Sequence, residues 1–228
     1  TRIGMAMVDA HGSGIAEEFM LPYNFKVWAH NLAELDFQWI GELVATIDLN
    51  RILENVVYEK DDVSWGPNST FQFPLRGGTG AIWEGVGKLV GNKQIRNNST
   101  VAAISANERT VTLQDGSRFE FEHLLSTMPL DLMTLKVKEL PTPLKQRAGE
   151  LKHSSSHIVG VGLRGKLKAE LATKCWMYFP ENNCPFYRVT VFSNYSPNNV
   201  PDANECFSLM AETSESFEKP VDQSSIIE

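Results

Sequence analysis

The chain has 228 residues, of which 42% are hydrophobic and 21% are charged, a composition typical of a globular protein with a sizeable core. Its formal net charge of -7 argues against nucleic-acid binding, which needs a basic surface to displace counterions from phosphates. No apolar run approaches the roughly 18 residues that span a bilayer, so we expect no membrane insertion. Three cysteines, Cys175, Cys184 and Cys206, are too few for a disulfide framework and predict free thiols in a reducing, cytoplasmic compartment.

Helical spacing dominates from Gly14 to about Tyr58, which predicts a small helical bundle. One apolar face would hold Phe37, Ile40, Val44 and Ile47, and a second short stripe would hold Ile52, Leu53 and Val56. Residues 61–80 contain a Gly-Pro pair, a further proline and three later glycines, which predict an irregular loop. Helix returns at residues 81–90.

The rest of the chain is rich in β-forming residues. Asp115-Gly116 lies between two short runs and is a strong hairpin signal. The run LLST, which ends before Pro129, predicts a strand, and residues 130–151 then predict a turn and a helix. HIVGVGLRG, the pair within 175–195, and CFSLMAET predict a second, mainly antiparallel set of strands.

The most informative stretch is CWMYFPENNCPFYRVTVFSNYSP, residues 175–197, in which two strands flank a proline-containing turn. Residues two apart on a strand share a face, so Trp176 lies beside Tyr178. On the return strand the residues predicted to share one face are Arg188, Thr190, Phe192 and Asn194. Two rings near a fixed cation can hold a base or sugar and bind a phosphate. The alternative is ordinary sheet packing with Arg188 in a surface ion pair.

Two further segments carry weaker signals. PYNFKVWA, residues 22–29, combines the polar groups of Tyr23 and Asn24 with the ring of Trp28, although packing of a helix end explains it equally well. FPLRGGTG, residues 73–80, is glycine-rich and precedes a helix, where backbone N–H groups can meet an anion, but a tight turn is the simpler interpretation. The five histidines lack metal-ligand spacing, and we expect no metal.

Six stretches together resemble the eukaryotic-type UDP-galactopyranose mutases: PYNFKVWA, WGPNSTFQFPLRGGTG, TVTLQDG, STMPLD, HIVGVGLRG and residues 175–197. The resemblance implies a mixed α/β fold of the FAD-binding, amine-oxidase-like flavoproteins. It places a helical substrate-binding region at 1–60, a loop and helix at 61–94, part of the FAD-binding domain at 95–135 and an antiparallel sheet substrate domain at 136–228. Because the family's glycine-rich FAD fingerprint and its C-terminal part have no counterpart here, we expect an inactive fragment that does not retain FAD alone.

The resemblance also implies an activity. In that family the N5 atom of reduced FAD attacks the anomeric carbon of UDP-galactopyranose and expels UDP, and the flavin-sugar adduct opens and recloses as the furanose. The cofactor carries the chemistry, and the protein supplies position and electrostatics. The product serves glycan or cell-wall biosynthesis. The partner expected is therefore the small molecule UDP-galactose, with no nucleic acid and no membrane, and a homo-oligomer stays open.

Site residues follow from the same resemblance. The positions that match uridine, UDP and substrate contacts are Tyr23, Asn24, Trp28, Asn68, Trp176, Tyr178 and Tyr195. Arg188 matches the diphosphate arginine and is the catalytic candidate, and Val101 matches the residue whose backbone meets the adenine of FAD. Leu43 stands where the family usually has a second arginine. Losing one charge-assisted hydrogen bond weakens binding by roughly ten- to a hundredfold.

Two other functions stay open at this point. A flavin-dependent oxidoreductase of the amine-oxidase type would share the cofactor fold, but it would need an apolar aromatic cage in place of diphosphate ligands. A degenerate nucleotide-sugar-binding module is the second alternative, and Leu43 is the residue that motivates it. UDP binding would distinguish a mutase from the oxidoreductase, which should not bind it. Turnover would distinguish a mutase from the degenerate module, which should bind UDP without converting it.

Overall fold

A computed structural model describes residues 12–36, 48–60, 70–224 and residue 226. The chain divides into two compact units, one of residues 1–83 with 154–228 and the other of residues 84–153. The main helices are α1 Leu21–Trp28, α2 Leu49–Val57, α3 Gly80–Val90, α4 Leu130–Lys136 and α5 Thr142–Ala148. The strands are β1 Val101–Ser105, β2 Thr110–Leu113, β3 Arg118–Glu120, β4 Ser155–Arg164, β5 Trp176–Tyr178, β6 Arg188–Val191 and β7 Cys206–Glu215.

Helix α1 follows a short α-helical turn, Ser13–Ile15, and a π-helical stretch, Ala16–Met20. It ends where Ala29 adopts a left-handed conformation (φ 56°) and donates its N–H to the Phe25 carbonyl at 2.8 Å. Helix α2 begins at Asp48, whose carboxylate accepts from the N–H groups of Asn50 and Arg51. The helical predictions are confirmed for both segments. The predicted apolar face from Phe37 to Ile47 lies outside the described residues.

The first unit contains a four-stranded antiparallel sheet in the order β4-β7-β6-β5. Ten consecutive residue pairs join β4 to β7, from Ser155 opposite Glu215 to Arg164 opposite Cys206. Strand β5 is at the edge and contributes three residues. The apolar side chains of Val189 and Val191 are buried in the middle of the sheet, as expected for β-branched residues. The predicted antiparallel strand set is therefore confirmed.

One detail of the strand prediction is wrong. The alternation was expected to continue through Phe192 and Asn194, but β6 ends at Val191 and a 3-10 turn, Phe192–Asn194, follows. The Asn194 side chain explains the change, since its Nδ2 donates to the carbonyl oxygens of Leu171 at 2.9 Å and Lys174 at 2.7 Å. Those bonds fasten the turn to a neighbouring loop, so Asn194 does not share the face of Arg188.

Helix α1 is fastened to the end of the sheet by polar contacts from its backbone and one side chain. The hydroxyl of Ser214 donates to the Val27 carbonyl, and that of Ser216 donates to the Ala29 carbonyl. Lys26 is only 3% exposed; its Nζ donates to the Glu181 carbonyl at 2.7 Å and lies 3.6 Å from the Cys184 sulfur. Lys26 therefore ties α1 to the turn between β5 and β6.

The second unit is built on the β1-β2-β3 meander. The predicted turn at Asp115-Gly116 is confirmed: Gly116 has φ 83°, and the Ser117 N–H donates to the Asp115 carboxylate at 2.8 Å. The predicted LLST strand is wrong, because none of the described strands pairs with it. The segment that follows forms two short helices, α4 and α5, rather than one. Glu139 accepts hydrogen bonds from the Ser105 hydroxyl and the Ala106 N–H, which lower its pKa to about 2.

Gly116 gives a direct test of the turn. Replacing Gly116 with alanine should lower the free energy of unfolding by about 1 kcal/mol, because a left-handed residue with a Cβ is strained even in open space. Thermal unfolding of the full-length protein measures the loss. Gly160→Ala is the matched control, because its Cβ also meets open space and its φ is not in the left-handed range. Equal effects of the two substitutions would contradict the assignment of the strain to φ.

Two further predictions concern the cysteines and membrane-spanning helices. The three cysteines are free and half-buried, as the sequence predicts for thiols outside a disulfide framework. No described helix has the length and apolar character to cross a membrane.

Candidate functional site

Strands β5 and β6 bring the predicted aromatic and cationic residues onto one face of the sheet. In the register of this antiparallel pair, Tyr178 lies opposite Arg188 and Trp176 lies opposite Thr190. Residues directly opposite each other project from the same face, and so do residues two apart. The guanidinium carbon of Arg188 lies 5.4 Å from the Trp176 ring centroid, which is a cation–π distance. The described strands therefore place Trp176, Tyr178 and Arg188 on one face of the sheet.

Arg188 is held by a carboxylate from the next strand. Glu212 of β7 lies opposite Arg188 and accepts from Nε at 2.8 Å and from Nη2 at 2.7 Å. The Arg188 side chain is 30% exposed and that of Glu212 only 6%. Burial disfavours the charged guanidinium, but the hydrogen bonds and charge of Glu212 outweigh it, so the pKa of Arg188 lies above its usual value. Arg188 is thus an oriented donor within an ion pair.

Aromatic rings surround one side of this ion pair. Tyr23 on α1 meets the ring of Tyr178 edge-on, with centroids 5.2 Å apart, and the ring of Tyr187 at 6.4 Å. The Tyr187 hydroxyl donates to Glu212 at 2.9 Å. Helix α1 and the sheet therefore meet through three tyrosines around Arg188. Such rings bury a large apolar area while their hydroxyls keep a polar edge.

A second group of rings contacts Trp176. Phe71 stacks on Trp176 with centroids 5.7 Å apart, and the Trp176 Nε1 donates to the Tyr195 hydroxyl. Tyr195 also receives the edges of Phe71 at 4.8 Å and Phe73 at 5.1 Å. Trp176 therefore contacts Phe71, Tyr195 and the guanidinium of Arg188.

The remaining predicted site residues are placed differently. Asn24 on α1 donates from its Nδ2 to the Met20 carbonyl at 2.8 Å, and Trp28 packs against buried Leu32. Val101 begins β1 in the second unit. Asn68 and Leu43 lie outside the described residues. Five of the predicted residues are linked through the contacts above: Tyr23, Trp176, Tyr178, Arg188 and Tyr195.

Comparison with known proteins decides the family. A model for flavin containing amine oxidoreductases matches residues 8–219. The chain belongs to this family. Among solved structures, the crystal structure of a reduced UDP-galactopyranose mutase is 39% identical, with a TM-score of 0.90 over 100% of this chain and 49% of that chain. The chain therefore spans about half the length of that mutase. A Pyrococcus furiosus protein, 13% identical over 60% of this chain and 34% of its own, shares the fold with a TM-score of 0.50.

Membership of the flavin-containing family confirms the predicted fold class and an FAD-type cofactor. One glycine motif of the chain is not a cradle for the FAD pyrophosphate. The spacing G-x-G-x-x-G does occur at residues 160–165, but it lies along strand β4 and not at a turn into a helix, as that cradle requires. At the adenine-contact candidate, the register of β1 and β2 shifts between Val101 and Ala103.

Sequence reasoning missed three residues of the site. Glu212 accepts hydrogen bonds from Arg188 and from the Tyr187 hydroxyl, and Phe71 stacks on Trp176. The signal that was available is a lone glutamate inside the apolar strand run CFSLMAET, since a buried carboxylate requires a partner. No group of three potential metal ligands occurs among the described side chains.

The tyrosines around the site have raised pKa values and should ionise only at high pH. Burial is the largest cause of a raised pKa at Tyr23, Tyr178, Tyr187 and Tyr195. For Tyr187 the pKa reaches about 12, with the hydrogen bond to Glu212 as second cause. A raised folded-state pKa stabilises the protein below the unfolded value of 10.0, and this contribution is lost as pH rises from 10.0 to about 12.

Spectrophotometric titration of the phenolate band measures this effect. In the folded protein Tyr23 and Tyr187 should stay protonated at pH 10.0, and Tyr178 and Tyr195 should ionise at higher pH than they do in denaturant. Coincident titration curves for folded and unfolded protein would contradict the buried hydrogen-bonded cluster.

Proposed function

We propose that the chain is part of a UDP-galactopyranose mutase, which interconverts UDP-galactopyranose and UDP-galactofuranose with reduced FAD. The observation that carries the proposal is the oriented guanidinium of Arg188 between Trp176 and the tyrosines of α1 and β5. The 39% identity to a solved mutase supports it. In this proposal the protein is a cytoplasmic isomerase of glycan or cell-wall biosynthesis.

The chemistry of the site suits a pyrophosphate-linked sugar. Arg188 has five N–H donors, and Glu212 occupies those on Nε and one edge of Nη2, so the Nη1 edge is available for an anionic oxygen. Charge-assisted bonds of this kind are about twice as strong as neutral ones. The rings of Trp176 and Tyr178 then supply flat surfaces for a base or a sugar, and Tyr178 is 46% exposed.

The same observation weighs against amine oxidation. A protonated amine in this space would meet the N–H donors of the guanidinium and find no acceptor on that edge, whereas the oxygens of a diphosphate would accept from them. The third possibility, binding without turnover, depends on Leu43, which lies outside the described residues. We retain it as an outcome of the experiment.

Calorimetric titration of UDP into the full-length protein, followed by a furanose-formation assay with chemically reduced flavin, tests the proposal. Binding with turnover is the expected result. Binding without turnover would favour the degenerate module, and no binding of UDP would favour the oxidoreductase. Arg188→Ala should weaken UDP binding by about a hundredfold, since two charge-assisted hydrogen bonds are lost. Uridine, which has no phosphate, is the control ligand because its affinity should change little.

A further inference from the structure

We propose that Glu212 is a positioning residue, which fixes Arg188 in the orientation that presents its Nη1 edge to an anionic ligand. The inference rests on the proposed role of Arg188 at a diphosphate. It adds to that role a specific requirement: the arginine must be immobilised by a buried carboxylate before the ligand arrives.

The geometry of the pair is that of a two-pronged fork. Glu212 accepts from Nε and Nη2 through separate oxygens, at 2.8 and 2.7 Å. Two parallel bonds define the plane of the guanidinium as well as its position, which one bond cannot do. No other described residue accepts a hydrogen bond from Arg188, so the opposite edge keeps its donors for a ligand.

Glu212 is itself held in place. Its backbone carbonyl accepts from the Tyr187 N–H at 2.9 Å, and its Oε2 accepts from the Tyr187 hydroxyl at 2.9 Å. The β6-β7 register sets Glu212 directly opposite Arg188. Trp176 covers one face of the guanidinium at 5.4 Å. Strand register, a second hydrogen bond and an aromatic face thus all restrict the same ion pair.

Glu212 could act on Arg188 in two opposite ways. As a positioning residue it orients the guanidinium for the ligand; as a latch it competes with the ligand for the same guanidinium. Arg188 and Glu212 together are neutral, so a ligand is attracted by oriented donors rather than by net positive charge. Removing the carboxylate would make the site more positive but would free the arginine to rotate. Positioning predicts weaker ligand binding after that change, and a latch predicts tighter binding.

The test uses Glu212→Gln in the full-length protein, because glutamine keeps the shape and one acceptor oxygen. We expect UDP and inorganic pyrophosphate each to bind about tenfold more weakly, with uridine affinity unchanged. Glu215→Gln is the matched control: Glu215 lies on the same strand but pairs with His157, so its loss should not change UDP affinity. Unchanged or tighter UDP binding by Glu212→Gln would overturn the proposal.

A second measurement does not depend on UDP. The Nε–H resonance of Arg188 in a ¹⁵N spectrum should be rigid and slow to exchange in the unliganded wild type, and mobile in Glu212→Gln. If wild-type protein binds no UDP but Arg188 is rigid only with Glu212, the proposed function fails while the positioning role stands. If Arg188 is equally rigid in both proteins, the positioning role fails whatever UDP does.

Discussion

Replacing Arg188 with methionine should lower the free energy of unfolding by about 3 kcal/mol, because it leaves a buried carboxylate without its main partner. The Glu212 side chain is 6% exposed and would keep only the Tyr187 hydroxyl as a donor. Chemical denaturation of the full-length protein, followed by fluorescence, measures the change. An unchanged midpoint would mean that solvent already screens the ion pair.

The double variant Arg188→Met with Glu212→Leu supplies the control. Replacing a buried ion pair by apolar residues of similar size is often neutral, so stability should return to within about 1 kcal/mol of wild type. UDP binding should not return, because both the proposed diphosphate donor and its support are gone. A stable double variant that still binds UDP tightly would remove Arg188 from the site.

Trp176→Ala should also have a large effect, lowering the free energy of unfolding by about 3 kcal/mol. The substitution removes the stack on Phe71, the hydrogen bond to Tyr195 and the ring that faces Arg188. The same change should weaken UDP binding by about tenfold through loss of the cation–π contact that orients the guanidinium. Denaturation and calorimetric titration measure the two effects.

Trp176→Phe separates packing from hydrogen bonding at this position. The phenyl ring can still stack on Phe71, but it cannot donate to the Tyr195 hydroxyl. We expect a loss of about 1 kcal/mol in stability and a small change in UDP affinity. A stability loss as large as that of Trp176→Ala would show that the hydrogen bond to Tyr195, rather than the stack on Phe71, holds Trp176 in place.

Local chemistry made several elements predictable. The turn at Asp115-Gly116 followed from the need for a left-handed residue, which glycine satisfies. The shared face of Trp176 and Tyr178 followed from the two-residue period of a strand. These inferences depend on neighbours a few residues apart.

Longer-range features were not predictable in the same way. Glu212 pairs with Arg188 across 24 positions of sequence, and only the β6-β7 register puts them opposite each other. The LLST run has strand propensity, but propensity does not supply the partner strand that a ladder requires. Asn194 does not follow the alternation of side chains expected for a strand, because its side-chain amide donates to three backbone carbonyls in a neighbouring loop. The four-part division of the chain stays a prediction.

The strands of the four-stranded sheet differ in how many residue pairs hold them in place. Ten residue pairs join β4 to β7 in a long ladder, whereas Trp176 and Tyr178 belong to a three-residue strand at the edge of the sheet. Because β5 contributes only three pairs to the ladder, the position of Trp176 depends mainly on its side-chain contacts with Phe71 and Tyr195. A substitution at Trp176 therefore loosens the edge of the sheet without breaking the ten pairs that join β4 to β7.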